Sequence, residues 1–204
     1  GAGSDQIFAG AGDDVVEGGA GDDRAWVGEG NDTIIATLND GNDVYYGDEV
    51  SGGTESDTLD MSRIQANITA DLGSAGTGRG LAGSSQSGQD VVWSIENFIG
   101  GSGDDVIIAG RAANQIDGGA GSDTLLGASV GLILDTAADT LYCGTGDDHA
   151  AGGSGDDLLS GDTGNDALSG DVGNDTLRGG TGNDALYGGP GSDLLVGDAG
   201  DDQL

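Results

Sequence analysis

The stretch GNDALSGDVGNDTLRGGTGNDALYGG, residues 164 to 189, places Asp166, Asp175 and Asp184 nine residues apart, each behind a Gly-Asn pair. The frame continues on both sides without gaps. From Gly152 it reads GGSGDDLLS, GDTGNDALS, GDVGNDTLR, GGTGNDALY, GGPGSDLLV and GDAGDDQL, a pattern of G-[GD]-x-G-x-D-x-L-x. Glycine at positions 1 and 4, with a small or polar residue at 5, marks a turn that needs permissive backbone angles. Positions 7 to 9 hold one apolar residue between two variable ones, and alternation puts that middle residue on one face of a short strand. Each repeat therefore reads as a six-residue turn followed by a three-residue strand. One turn reverses the chain once, so two repeats bring it back to its starting side and one coil takes about 18 residues. The fold class that follows is all-β, a parallel solenoid with two nonapeptide repeats per coil.

The same frame runs upstream. A first array reads GAGSDQIF, AGAGDDVVE, GGAGDDRAW and VGEGNDTII, followed after short insertions by DGNDVYY at 40 and GGTESDTLD at 52. A second begins at 100 with GGSGDDVII, AGRAANQID and GGAGSDTLL, then a longer unit ending ADTLY at 142 and CGTGDDHAA at 143. Position 6 is aspartate throughout, at Asp5, Asp14, Asp23, Asp32, Asp43, Asp57, Asp105, Asp123, Asp139, Asp148, Asp157, Asp166, Asp175, Asp184, Asp193 and Asp202, with Asn114 the exception. Position 8 is apolar, from Ile7 and Val16 to Leu186 and Leu195, and small only at Ala25 and Ala150.

The composition gives this regularity its chemical meaning. Acidic residues number 37 against 5 basic ones, a formal charge of −32 on 204 residues. Self-repulsion of that size opposes compaction. It argues against nucleic acid or an anionic membrane as partner and for cations. No apolar run is long enough to span a membrane and no basic region precedes a short apolar segment. The single cysteine, Cys143, excludes an internal disulfide framework. The chain opens and closes inside a repeat, which suggests a segment of a longer protein.

Burial of one side chain per nine residues returns only a fraction of the entropy lost in ordering them. Stacking adds to the deficit, since coils lie about 4.8 Å apart and two carboxylates at ~5 Å repel by on the order of 3 kcal/mol at an effective dielectric near 20. A divalent cation between coils reverses that sign. Aspartates 18 apart share one side of the coil, so the expected partners are Asp157 with Asp175, Asp175 with Asp193, Asp148 with Asp166, Asp166 with Asp184, and Asp184 with Asp202.

The nonapeptide G-G-x-G-x-D-x-U-x closely resembles the RTX, or hemolysin-type, calcium-binding repeat, and the likeness covers most of the chain. The resemblance implies a parallel β-roll in which metal-filled turns join two thin sheets. Oxygen donors in a flexible cage suit calcium, whereas magnesium demands tighter geometry and zinc or copper would want histidine or cysteine, of which the chain has one each. The resemblance also implies carbonyl ligands from positions 1 and 3 of one turn and 2 and 4 of the next, among them those of Gly153, Gly155, Gly164, Gly173, Gly180, Gly182, Gly189 and Gly191. With on the order of 12 calcium ions bound, the charge would fall to roughly −8. The metal-free chain is expected to be expanded and the calcium form compact. The position 5 acids Asp13, Asp22, Asp104, Asp147 and Asp156, and the position 2 acids Asp162, Asp171 and Asp198, read as solvated, and Asn114 as a turn without a full site.

Residues 61 to 99 break the period. ANITADLG and DVVWSIENFIGG read as two longer strands around a glycine and serine-rich loop, Gly73 to Gln89, with Trp93, Ile95, Phe98 and Ile99 as core. The organisation expected is an array at 1–60, a connector with an inserted hairpin at 61–99 and an array at 100–204 that continues beyond the segment. The apolar insertion Gly127 to Ile133 is expected to cover a roll edge or meet a partner.

No serine, histidine and acid constellation is available: His149 is the only histidine and faces outward, and Cys143 lacks a paired base. No catalytic residue or organic cofactor site is therefore expected. The leading reading is a calcium-folded module of a secreted or cell-surface protein, with export by type I secretion implied by the resemblance. The alternatives are a structural repeat forming an adhesin stalk, surface layer or filament by self-association; an ice-binding face built on Thr145, Thr163 and Thr181 with Asn165 and Asn183; and an accessory module working with neighbouring hydrolase domains.

Overall fold

The computed structural model describes residues 1–47, 55–73, 79–127 and 136–204. Among these there is no helix, and therefore none long and apolar enough to cross a membrane. The first array contributes β1 (Gln6–Ala11), β2 (Val15–Val16), β3 (Arg24–Glu29), β4 (Thr33–Ile35), β5 (Val44–Tyr46) and β6 (Thr58–Asp60). The middle segment contributes β7 (Thr69–Asp71), β8 (Arg79–Ser84), β9 (Gly88–Trp93) and β10 (Asn97–Ile99). The second array adds β11 (Val106–Ile108), β12 (Gln115–Asp117), β13 (Thr124–Leu126), β14 (Thr140–Tyr142) and β15 (His149–Ser154). It ends with β16 (Leu158–Thr163), β17 (Ala167–Val172), β18 (Thr176–Thr181), β19 (Ala185–Tyr187) and β20 (Leu194–Ala199).

Within each array successive strands alternate between two sheets and pair in parallel with the strand two places on, as an 18-residue coil requires. One sheet has 11 strands, in the order β1-β3-β5-β9-β8-β7-β11-β13-β15-β17-β19. The other has 9, in the order β2-β4-β6-β10-β12-β14-β16-β18-β20. Position 8 residues are in register, Leu141 with Leu159, Leu159 with Leu177 and Leu177 with Leu195. Their side chains fill the space between the sheets: Ile34, Leu59, Ile107, Leu125, Leu141, Leu159 and Leu177 have no exposed surface. The all-β parallel roll read from the repeat is the fold observed.

Several strands are longer than three residues. In β16 and β18 the pairing continues past position 9, to Asp162 opposite Gly180 and Thr163 opposite Thr181. The true turn is thus confined to positions 4 to 6. Position 2 adopts a left-handed φ, which glycine takes freely and Asp162, Asp171 and Asp198 also hold at 66° to 67°; aspartate tolerates this region better than most residues. Ser160 and Ser169 donate hydroxyl hydrogen bonds to Asp162 and Asp171, and Arg178 pairs with Asp198, so these acids are not simply solvated.

The middle segment departs from expectation. The stretch read as a glycine and serine-rich loop carries β8, antiparallel to both β7 and β9. Its glycines are what allow this: a Cβ at Gly80 would overlap the Asp71 carbonyl and one at Gly83 the Gly88 carbonyl, so only a chain without side chains packs so closely. Ile95 and Phe98 are buried as expected, but Trp93 and Ile99 are half-exposed. Trp93 ends a column of stacked rings on the outer face, Phe8, Trp26, Tyr46 and Trp93, with centroid spacings of 4.6, 5.2 and 6.2 Å. Each of these residues follows the inward position 8 by one and so points outward. Most of the insertion Gly127 to Ile133 lies outside the described residues.

Candidate metal centre

The position 6 aspartates are brought into columns on the two sides of the roll. In each column the backbone N–H of one aspartate donates to Oδ1 of the aspartate one coil later: Asp148 to Asp166 at 2.9 Å, Asp166 to Asp184 at 2.9 Å, Asp184 to Asp202 at 3.0 Å, Asp157 to Asp175 at 2.9 Å and Asp175 to Asp193 at 3.0 Å. The five pairs expected from the spacing are therefore neighbours. The columns hold register across insertions, with Asp123 joined to Asp148 and Asp32 to Asp57 over 25 residues, and Asp5, Asp14 and Asp23 donating in the same way to Asp23, Asp32 and Asp43. Asp105 accepts from Ile68, Asp139 from Asn114 and Asp157 from Asp139. Asn114 keeps its place in the column by its backbone, while its side-chain amide donates to the Glu96 carbonyl at 2.7 Å.

With Oδ1 engaged, the second carboxylate oxygen is the chemically open one. Oδ2 of Asp23, Asp32, Asp123, Asp148, Asp166, Asp175 and Asp184 is buried without a hydrogen-bond partner. Burying an unpaired carboxylate oxygen is costly unless a cation or proton meets it. Glycine at position 1 leaves the room: a Cβ on Gly161 would overlap Oδ2 of Asp166 and lie 2.5 Å from the Gly179 carbonyl one coil on. The cradle recurs at Gly179, between Asp184 Oδ2 and the Gly197 carbonyl, and at Gly118, between Asp123 Oδ2 and the Cys143 carbonyl. Further carbonyls face the gap from the earlier turn, since Cβ atoms on Gly173, Gly182 and Gly191 would overlap the carbonyls of Gly155, Gly164 and Gly173. No cluster of three or more His, Cys, Asp or Glu side chains able to hold a metal occurs among the described residues. The donor set is a carboxylate oxygen with backbone carbonyls, all hard oxygens, which fits calcium.

A second column was not foreseen. Position 5 side chains accept from the position 5 backbone N–H one coil later, as Asp147 does from Asn165 at 2.7 Å, Asp156 from Asn174 at 2.8 Å and Asn165 from Asn183 at 2.9 Å. Asp13, Asp22 and Asp104 do the same, so these acids are turn clamps rather than merely solvated charges.

Three positions in the columns escaped the sequence reading. Asp90 occupies position 6 opposite Asp43, whose N–H donates to its Oδ1 at 2.9 Å, and Val91, Val92 and Trp93 pair with Val44, Tyr45 and Tyr46. The signal was present in GQDVVW, positions 4 to 9 of the frame without its first glycines. Glu96 accepts from Asp57, and Ile68 takes a position 6 with no carboxylate at all.

These turns and the repeat frame agree with a family model, the RTX calcium-binding nonapeptide repeat, which matches residues 1–34, 95–129, 135–168 and 169–204. The chain belongs to the RTX calcium-binding repeat family. No curated protein matches it closely. RTX repeats are structural, calcium-binding repeats. Burial pushes Asp166 up to about 7, with repulsion from Asp148 and Asp184 adding to it, and burial likewise pushes Asp123 up to about 7. Asp105, Asp148 and Asp175 are raised by burial in the same direction. The sign of the linkage follows. A raised carboxylate pKa means that the metal-free roll holds protons the unfolded chain has lost, so its stability falls as pH rises from about 4 through 7. Calcium competes with those protons for the same oxygens. The unfolded chain and the calcium form are both deprotonated between pH 6 and 8, so the calcium concentration at half-folding, read by circular dichroism, is expected to stay level or rise over that range; a midpoint that falls as pH is raised would contradict the assignment.

Proposed function

We propose that this chain is a calcium-folded β-roll module of a secreted or cell-surface protein, kept unfolded in a calcium-poor cytoplasm and closed where calcium is millimolar. The observation that carries the reading is the repeated convergence of a buried, partnerless Oδ2 with position 1 glycine space and carbonyl oxygens. The ligands proposed are Oδ2 of the position 6 aspartates other than Asp43, whose Oδ2 accepts from the Tyr45 hydroxyl, and the carbonyls of positions 1 to 4, including those of Gly153, Gly155, Gly164, Gly173, Gly180, Gly182, Gly189 and Gly191. Calcium, when bound, supplies the positive charge that offsets carboxylate repulsion between coils. The chain's own part is to hold the donors in register through the Oδ1 and position 5 hydrogen bonds. The arrays at 1–60 and 100–204 and the connector at 61–99 are proposed to close as one unit, because both sheets run through all three.

Equilibrium dialysis against calcium tests this. The wild-type chain is expected to bind on the order of 12 ions, unaffected by equimolar magnesium, and Asp166→Asn to bind fewer while Asp156→Asn, in the position 5 column, retains the full number. Equal binding of magnesium, or an unchanged count in Asp166→Asn, would sink the reading.

A further inference from the structure

The turn before β5 is built differently from the others. Two extra residues enter between position 9 of one repeat and position 4 of the next, Leu38 replaces the position 1 glycine and is half exposed, and Asn39 takes the left-handed φ of 60° at position 2. Position 3, which points outward at Ala20, Glu29, Thr163 and Val172, is Asp40, and its side chain is turned inward, 1% exposed. Oδ2 of Asp40 accepts from the Thr37 N–H; Oδ1 is buried with no partner.

Across the gap to the next turn stands Asp90, with no exposed surface. Its Oδ1 accepts from Asp43 N–H at 2.9 Å and its Oδ2 is again buried and partnerless. Asp43 is spent: Oδ1 accepts from Asp23 at 2.7 Å, and Oδ2 from the Tyr45 hydroxyl at 2.6 Å, inside the core where the other repeats carry an aliphatic residue. The Gly41 carbonyl faces the same gap, where a Cβ on Gly88 would overlap it. None of the ion pairs found among the described residues reaches these acids. Two wholly buried carboxylates, each with one open oxygen, cannot both stay ionised without a counter-charge.

We propose that Asp40 and Asp90 form a divalent-cation site in which a position 3 side chain joins a position 6 carboxylate, and which clamps the first array to the inserted hairpin. The inference rests on the reading that position 6 carboxylates take calcium. Its two full carboxylates, one from each side, set it apart from the regular turn, where position 3 offers only a carbonyl. Burial first, then the charges of Asp43 and Asp40, push Asp90 up to about 8 in the metal-free state, and burial pushes Asp40 up to about 6. The site lies where β5 meets β9, strands that are joined by a long excursion through the other sheet and the hairpin and whose facing aspartates, Asp43 and Asp90, are 47 residues apart, so the cation would close a long-range contact.

The experiment is calcium counting by equilibrium dialysis on the whole chain, at a calcium concentration just sufficient to saturate the wild type. Asp40→Asn and Asp90→Asn should each bind one ion fewer per chain, and the double variant also one fewer, because both residues serve one ion. A full complement in Asp40→Asn, or a loss of two in the double variant, overturns the site. Asp166→Asn runs beside them: if it too keeps every ion, the failure is that of the repeat reading and not of the junction alone. Far-UV circular dichroism in saturating calcium checks folding, and Asp40→Ser, which also offers an acceptor to the Thr37 N–H, replaces Asp40→Asn if that variant does not reach the wild-type signal. A shared proton in place of a cation would leave every count at the wild-type value and so count against the proposal.

Discussion

Chelation of calcium is expected to abolish the β-sheet signal of this chain and to raise its radius of gyration about threefold, from about 17 Å to about 49 Å, by the scaling of compact and unfolded chains of this length. The argument is electrostatic. The formal charge is −32, and the columns hold carboxylates of successive coils in direct succession, each aspartate's N–H bonded to the next one's Oδ1. In the absence of a cation the buried Oδ2 atoms have neither solvent nor donor, and the position 8 core, one side chain per nine residues, is too thin to overcome both that cost and the chain entropy. Small-angle scattering with far-UV circular dichroism, in chelator, in calcium and in magnesium, decides the matter. A β-spectrum already complete in chelator would mean that the aspartate columns are not what folds the roll.

Gly164→Ala is expected to be the most damaging single methyl group in the second array. Gly164 has φ of 143°, where side chains are rarely found, and a Cβ there would overlap the carbonyl of Gly146. Neither partner is a flexible side chain that could yield, because both belong to the backbone column at position 4. Relief would require the coil spacing itself to open. Losses above about 4 kcal/mol are exceptional and belong to defects of this kind, and in calcium-saturated protein such a loss lowers Tm by roughly 10 °C for a cooperative unit of this size. The control is Ala167→Ser, at the outward position 7 of the same repeat, which should stay within about 0.5 kcal/mol. A Gly164→Ala protein melting within 2–3 °C of the wild type would show that the glycine is there for another reason.

How much was legible beforehand depended on whether a residue's role was local or relayed through the stack. The inward face of position 8 and the coil length follow from alternation and a single turn, so Leu159, Leu177 and Leu195 could be placed in register from spacing alone. The pairing of Asp166 with Asp184 followed the same way. The position 5 clamps did not, because nothing in a Gly-Asn pair says that the side chain will find a backbone donor one coil later. Asp90 was hidden by the loss of the glycines that mark a turn, and β8 by a composition that ordinarily disfavours strands. Trp93 was misplaced for a related reason: large aromatics are usually buried, but here four of them cover one another's faces on the outside.

The two side-chain columns run in opposite senses. At position 6 a residue's carboxylate reaches back to the preceding coil, while at position 5 it reaches forward to the following one. Every turn is thereby fastened to both neighbours by different atoms, and removing one coil frees a donor and an acceptor on each side. Growth of the roll is consequently directional at neither end: a coil can be laid down on its predecessor or on its successor with an equivalent set of bonds waiting for it. Closure, once a few coils exist, can travel outward both ways like a zip with two sliders, and a defect in the middle stalls both.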